Sequence, residues 1–513
     1  MNMVESKDIE LNKSLNLLAK TSVVVFIGVM LSKLFTYIYK IIIARSFDPE
    51  VYGLFNFALM IVSILAALAA FGMPDGLLRF VSYDRKNKDL RKSKYLFNIS
   101  SKITFFISII LGIILYFLAE IISINIFNKP GLTIYLRVFS FALPFLSITS
   151  ILLSILRAFE KITTYTIVQN ILQNFIRLIL IIIFLILGFG VSSILFSYLL
   201  AVILIAIISY IVSKKYIKIL KDSSDINSNI KNNLRKDFFE YSWPIVFLGI
   251  IGSLLYWTDS FVIGYYMGAS DIGFYNVAFT LVGLLGIAPE LFMQLFLPLV
   301  VKEYAKKRLN LIQEISKQVA KWILIINVPI LVIMIIYPGV IINILFGADY
   351  LSAEMPLRIL SFGSMFAAIF ISLSNNLLSM KGKSKLLLIN TLFIAVFNFI
   401  LNIFLVPKYG LNGAAFATMI SWFLFGFILL CQVKFYLNIV PIRRKMLTII
   451  LIGFVSSGVI FIIEDIIPLN LIGLALAGIS FLLVYIVLIL LFKGLDRNDK
   501  IVFDSIKIKM LGS

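Results

Sequence analysis

The stretch Tyr52-Gly53-Leu54-Phe55-Asn56-Phe57-Ala58 returns 220 residues later as Ile272-Gly273-Phe274-Tyr275-Asn276-Val277-Ala278. Two further echoes follow in the same order and at nearly the same offset. Leu136-Arg137-Val138-Phe139-Ser140-Phe141 matches Leu357-Arg358-Ile359-Leu360-Ser361-Phe362, and Asn174-Phe175-Ile176 matches Asn398-Phe399-Ile400. Three ordered matches mean duplicated halves. In a hydrophobic chain, duplicated halves are the mark of a transporter that moves one half against the other.

The chain is hydrophobic enough for that reading. Of its 513 residues 61% are apolar, with mean hydropathy +1.04. A soluble protein has too little interior to hide such a surface. Lipid is the expected solvent, and the fold class is an all-α polytopic membrane protein. Net charge is +20, but the basic residues sit in short loops between apolar runs, so no nucleic-acid partner is expected. The chain has no histidine, and its single cysteine, Cys431, lies in an apolar run. No disulfide framework, thiol chemistry, metal site or cofactor is indicated. The first apolar run is too long for a signal peptide and lacks a small-residue cleavage site, so it reads as a permanent span.

Apolar runs of roughly 20 residues predict about fourteen transmembrane helices. Their ranges are 18–44, 51–71, 99–123, 132–155, 163–187, 190–213, 242–264, 272–299, 318–337, 355–378, 385–406, 411–434, 446–463 and 469–492. With both termini in the cytoplasm, the inside segments and their edges carry 37 of the 46 Lys/Arg, and the outside loops only Arg45, Lys129 and Lys408. One span missed or invented would invert every later loop, so this asymmetry supports both the count and the orientation. The expected location is the cell membrane.

Domain boundaries follow. An N-lobe (1–213, spans 1–6) and a C-lobe (242–434, spans 7–12) are parallel repeats joined by a basic cytoplasmic linker (214–241), whose Lys221-Asp222-Ser223-Ser224-Asp225 is linker-like. Two extra helices (435–492) and a cytoplasmic tail (493–513) have no counterpart in the first half.

Local motifs agree with a known family. These are Ala44-Arg45-Ser46-Phe47-Asp48-Pro49-Glu50-Val51-Tyr52-Gly53, Phe71-Gly72-Met73-Pro74-Asp75-Gly76-Leu77-Leu78-Arg79-Phe80 and Leu156-Arg157-Ala158-Phe159-Glu160-Lys161. With two six-helix lobes and two extra helices, the chain resembles the multidrug/oligosaccharidyl-lipid/polysaccharide (MOP) flippase superfamily, in its polysaccharide-transporter (Wzx-like oligosaccharide flippase) branch. The resemblance implies a V-shaped bundle whose central cavity opens alternately to each side. It implies as partner a glycan linked through phosphate or pyrophosphate to a polyprenyl lipid, with membrane lipids and glycan-assembly enzymes around it, and a monomer.

Ionisable groups inside spans are costly and usually face a cavity or a partner. Lys33 and Lys40 stand two helical turns apart on one face of span 1 and are placed to meet a lipid phosphate, the alternative being snorkelling to an interface. Gln169, Gln173 and Arg177 form a stripe on span 5 beside Asn170 and Asn174. Span 11 answers with Asn390, Asn398 and Asn402. Amides suit sugar hydroxyls and equally glue helices together. The repeat-related Arg137 and Arg358 are either phosphate receivers at the outer mouth or interfacial anchors. Asp259 is a candidate ion-coupling residue or a latch to Lys33 or Lys40 across the lobes, and Glu290 is a second buried acid, after Pro289. Asp75 and Arg79, spaced i, i+4, read as a local ion pair. Gly249, Gly252, Gly283 and Gly286 permit close packing or bending.

The leading function is flipping of a lipid-linked saccharide by alternating access. No phosphate-binding loop is present, so ATP hydrolysis by this chain is not expected. A cation-coupled drug exporter of the same superfamily would want acidic residues where span 1 has lysines. An enzyme such as a glycosyltransferase would want acidic catalytic residues and a sizeable outer domain, and neither is visible in the sequence.

Overall fold

A computed structural model describes residues 26–87, 90–220, 227–463, 471–492 and 494. The start of the first predicted span, the linker core 221–226 and nearly all of the predicted tail lie outside these residues. Among the described residues every regular element is helical. A helix suits a chain in lipid because it satisfies each backbone N–H and C=O internally.

The helices are α1 (Phe26–Ser46), α2 (Pro49–Ala70), α3 (Met73–Lys86), α4 (Arg91–Glu120), α5 (Leu132–Ser140), α6 (Ala142–Ala158), α7 (Ile162–Thr166), α8 (Gln173–Ile186) and α9 (Ser192–Ile219). They continue with α10 (Ser228–Tyr266), α11 (Ala269–Val282), α12 (Ile287–Ala305), α13 (Leu309–Ile336), α14 (Pro338–Leu345) and α15 (Glu354–Phe366). The last are α16 (Ser372–Met380), α17 (Ser384–Leu437), α18 (Arg444–Ile463) and α19 (Leu471–Leu491). Eleven helices among the described residues are long and apolar enough to cross a membrane, or twelve if α5 and α6, bent by 46°, form one span. One of the eleven, α17, has 54 residues and breaks at Gly410, where φ is 56°. Unbroken, it would run about 80 Å, against a hydrocarbon core of about 30 Å.

The described residues group into two compact units. One combines residues up to Asn276 with Thr391–Ala414, and the other combines Val277–Asn390 with Ala415 onward. In the first unit α10 packs along α2 and α3, and glycines make the approach possible. A Cβ on Gly53 would lie 1.9 Å from the Ala269 carbonyl oxygen, and one on Gly273 would lie 2.3 Å from that of Pro49. At the other end of the same seam Gly72, with φ of 64°, abuts the Ser242 carbonyl. The α2–α3 break at Phe71 and Gly72 turns an amphipathic α3 onto the core, where Met73, Leu77 and Val81 pack with Leu96, Ile151, Ile155 and Phe238. The two copies of the opening motif make the same local bond. Asn56 Nδ2 donates to the Tyr52 carbonyl at 2.8 Å, and Asn276 Nδ2 donates to the Ile272 carbonyl at 2.9 Å.

Gly249 and Gly252 are not close-packing points. A Cβ on the first would only touch Ala67 at 3.8 Å, and one on the second would meet nothing within 4 Å. Gly283–Gly286 instead forms a 3-10 turn that breaks α11 from α12.

Candidate functional site

The polar stripe of span 5 sits on an altered helix. Ile167–Leu172 winds as a π-helix between α7 and α8, a feature that recurs at functional sites. With the Gln173 amide turned to face its neighbours, its Oε1 accepts from Arg177 Nη2 at 2.9 Å and its Nε2 donates to the Gln169 carbonyl at 3.1 Å. Gln173 therefore links the Gln169 backbone to the Arg177 guanidinium. The Arg177 guanidinium lies over the Tyr198 ring at 5.2 Å, and its Nε is buried without a hydrogen-bond partner among the described residues. A planar cation held at one edge and stacked on one face keeps donors for a further acceptor.

The neighbouring amides act as glue. Asn174 Nδ2 donates to Ser32 Oγ at 2.9 Å and to the Asn170 carbonyl at 3.0 Å, tying α8 to α1. Phe35 packs on Phe175 at 5.3 Å between ring centroids across the same contact. Lys33 and Lys40 of α1 are both half-buried, two turns apart on one helix. Tyr39, adjacent to Lys40 in sequence, is buried, and its hydroxyl has no hydrogen-bond partner among the described residues. Helices α1, α8 and α9 thus gather Lys33, Lys40 and Arg177 with two tyrosines in one unit. Tyr39 and Tyr198 gave no signal in the sequence, because an apolar span offers many aromatic residues.

Asp259 is 6% exposed. Its Oδ1 accepts from Asn402 Nδ2 at 2.8 Å and its Oδ2 accepts from the Tyr275 hydroxyl. Asn402 Oδ1 is itself buried and accepts nothing within the described protein. Tyr275 was missed, yet a signal existed: it is the position where the second copy of the opening motif replaces Phe55 with a phenol. A crevice of about 300 Å³ lies beside this cluster, walled by Met60, Ile64, Leu254, Trp257, Val396 and Phe399 among others. Thr258 also lines it, but its hydroxyl is satisfied by the Leu254 carbonyl.

Several expectations need correction. Glu290 is exposed in the first turn of α12, not a buried acid, and the positive end of the helix dipole suits its charge there. Asp75 pairs with Arg157 at 3.6 Å and not with Arg79, whose guanidinium covers the Tyr241 ring at 4.1 Å. The aromatic face offered by α10 outcompetes a half-exposed local pair, which is weak in water. Arg137 pairs with Glu120 at 3.0 Å, and Arg358 Nε donates to the Ile335 carbonyl at 3.0 Å, near the end of α13. Each of these repeat-related arginines binds a group near the end of an earlier span. Asn390 exchanges amide hydrogen bonds with Gln432, so it does not share the Asp259 cluster. Lys321 in α13 is wholly buried and was given no role from the sequence. Among the described residues no three His, Cys, Asp or Glu groups gather as a metal site would require.

Comparison with known proteins extends these findings. A family model described as polysaccharide biosynthesis protein matches residues 18–294, and a second, MatE, matches 244–404. An uncharacterized membrane protein of Methanocaldococcus jannaschii, MJ1068, is 30% identical over 88% of this chain and 90% of its own length. A putative O-antigen transporter of Shigella flexneri is 23% identical over 74% of this chain and 88% of its own length. The structure of the lipid II flippase MurJ in an inward closed conformation superposes with a TM-score of 0.73 at 20% identity, covering 92% of this chain and 98% of that one. At that identity the likeness concerns the fold.

Proposed function

Because the chain belongs to the polysaccharide biosynthesis protein family of the MOP flippase superfamily, we propose that it carries a lipid-linked saccharide from the cytoplasmic to the outer leaflet by alternating access of two six-helix lobes. The observation that carries this reading is Arg177, held by Gln173 and stacked on Tyr198, on a helix that Asn174 ties to the lysine-bearing α1. A lipid phosphate or pyrophosphate leaving the headgroup region needs cations where the dielectric is low. Arg177 is suited to phosphate oxygens by its planar fork, and the span 5 amides are suited to sugar hydroxyls. The polyprenyl tail stays in lipid while the headgroup crosses. The relative named as an O-antigen transporter supports a saccharide cargo. The chain acts as a transporter and makes or breaks no covalent bond.

Asp259 is the candidate coupling residue. A buried carboxylate that accepts from an amide on one oxygen and a phenol on the other, with an orphan amide oxygen beside it, is suited to exchange a proton or cation during the cycle. Glu290, exposed, is the weaker of the two acids proposed for this role. The MatE match over residues 244–404 keeps open a second reading, a cation-coupled drug exporter. Such a cavity would be acidic, whereas α1 and α8 carry lysines and an arginine.

The test is depletion of this protein in its own cells, followed by mass spectrometry of lipid-linked glycans with leaflet assignment. The expected result is one such species accumulating on the cytoplasmic leaflet. An unchanged pool together with new drug sensitivity would move the chain to the exporter reading.

A further inference from the structure

Lys129 lies in the turn between α4 and α5, yet it is only 7% exposed. Its Nζ reaches away from its own turn. It donates to the carbonyls of Gly264 at 2.5 Å and Met267 at 2.8 Å, at the C-terminal end of α10, and to that of Phe127 at 3.1 Å. Three carbonyl acceptors match the three N–H donors of an ammonium. Gly264 belongs to the last turn of a 39-residue helix and Met267 is its extended C-cap, a place where unpaired carbonyls and the helix dipole favour a cation. Burial pushes the Lys129 pKa down from the ordinary lysine value, and the Asp271 carboxylate opposes that shift.

The turn that carries Lys129 is built to hold it there. Residues Ile121–Ile126 form a π-helix, Asn128 takes a positive φ of 56°, and Lys129 N donates to the Ser123 carbonyl at 2.6 Å. The Phe127 ring wedges between Phe57 of α2, at 4.7 Å, and Phe261 of α10, at 5.6 Å. Phe57 in turn fills the space over Gly264. The wedge and the ammonium therefore sit at the end of the α2–α10 seam where Gly53 meets Ala269 and Gly273 meets Pro49. Aromatic packing and a backbone crossing are short-ranged and resist little once parted. A charge on a tether, paired with a helix end, is the contact that must be broken before they part.

We infer that Lys129 is the clasp of this seam, and that the seam opens at this end when the Lys129 ammonium leaves the end of α10. The inference rests on the alternating-access reading for its purpose, but its test requires no cargo. The probe is a single cysteine at Ala269, which is 8% exposed and lies under Gly53, in the full-length chain with Cys431→Ser. Its labelling rate with a membrane-impermeant maleimide reads the open fraction. Lys129→Met should raise the rate by about tenfold, equivalent to about 1.4 kcal/mol. Lys129→Gln should raise it less, and Lys129→Arg should keep it within about twofold, since a guanidinium also has donors for those carbonyls. Gly53→Ala serves as the control that forces the seam whatever Lys129 does.

An unchanged rate in Lys129→Met overturns the clasp. So does failure of Lys129→Met and Lys129→Gln alike to give a monodisperse protein, which would make Lys129 a folding residue only. Flipping that fails in the parent protein while labelling still depends on Lys129 would refute the function and leave the clasp standing. Intact flipping with Lys129-independent labelling would do the reverse.

Discussion

Replacing Gly53 by alanine should destabilise the protein, although alanine is the better helix former. The added Cβ would lie 1.9 Å from the Ala269 carbonyl oxygen and 2.9 Å from the Gly273 nitrogen. An ordinary contact begins near 3.4 Å, so α2 and the start of α11 must separate by up to 1.5 Å, the difference of those two distances. Both opposing atoms are backbone, and no side chain can swing away. Over-packing of this kind costs about 1–3 kcal/mol, against a helix-propensity gain of up to about 1 kcal/mol. A contact as short as 1.9 Å against backbone puts the cost at the upper end, so the net expectation is a loss of about 2 kcal/mol. Gly252 is the internal control: it is also helical, and a Cβ there meets nothing within 4 Å. Gly252→Ala should gain up to about 1 kcal/mol. Thermal unfolding in detergent, followed by tryptophan fluorescence, should therefore move in opposite directions for the two variants. If Gly53→Ala melts at or above the parent protein, the backbone crossing does not exist as described.

Other expectations follow from the sites. Arg177→Ala and Lys33→Ala should each abolish flipping in reconstituted vesicles while expression and thermal stability are kept. Normal transport in both would remove the cationic cavity from the mechanism. Asp259→Asn keeps the shape but removes the charge that Tyr275 and Asn402 bond to, so stability should fall by about 1–3 kcal/mol, and any dependence of transport on a proton or cation gradient should disappear with it. Because Arg137 and Glu120 are 41% and 61% exposed, a double-mutant cycle on the pair should return no more than about 1 kcal/mol. Transport should survive Arg137→Gln, and its loss would restore Arg137 as a cargo contact.

Membrane character and duplication were legible in the sequence for a simple reason. Lipid leaves the backbone only the helix or the closed barrel, and apolar runs of roughly 20 residues mark helical spans, while a repeated motif marks the halves. The Gly53 and Gly273 echo even pointed at the residues that cross. The stripe Gln169, Gln173 and Arg177 was legible too, because side chains four apart on one helix must be neighbours. Its π-helical turn was not, since residue spacing alone carries no mark of that winding.

Pairing of charges was decided only in three dimensions. Asp75 finds Arg157 of α6 although Arg79 is one turn away, and Arg79 finds Tyr241 of α10. Lys129 looked like one of three basic residues in outside loops, yet it is buried at the end of a helix 135 positions further on. Asp259 is satisfied by an asparagine 143 positions away. Local spacing determines which side chains share a face of one helix. Which face turns toward which neighbour, and at what depth, is set by packing among helices far apart in the chain, and a buried charge takes the partner that packing brings to it.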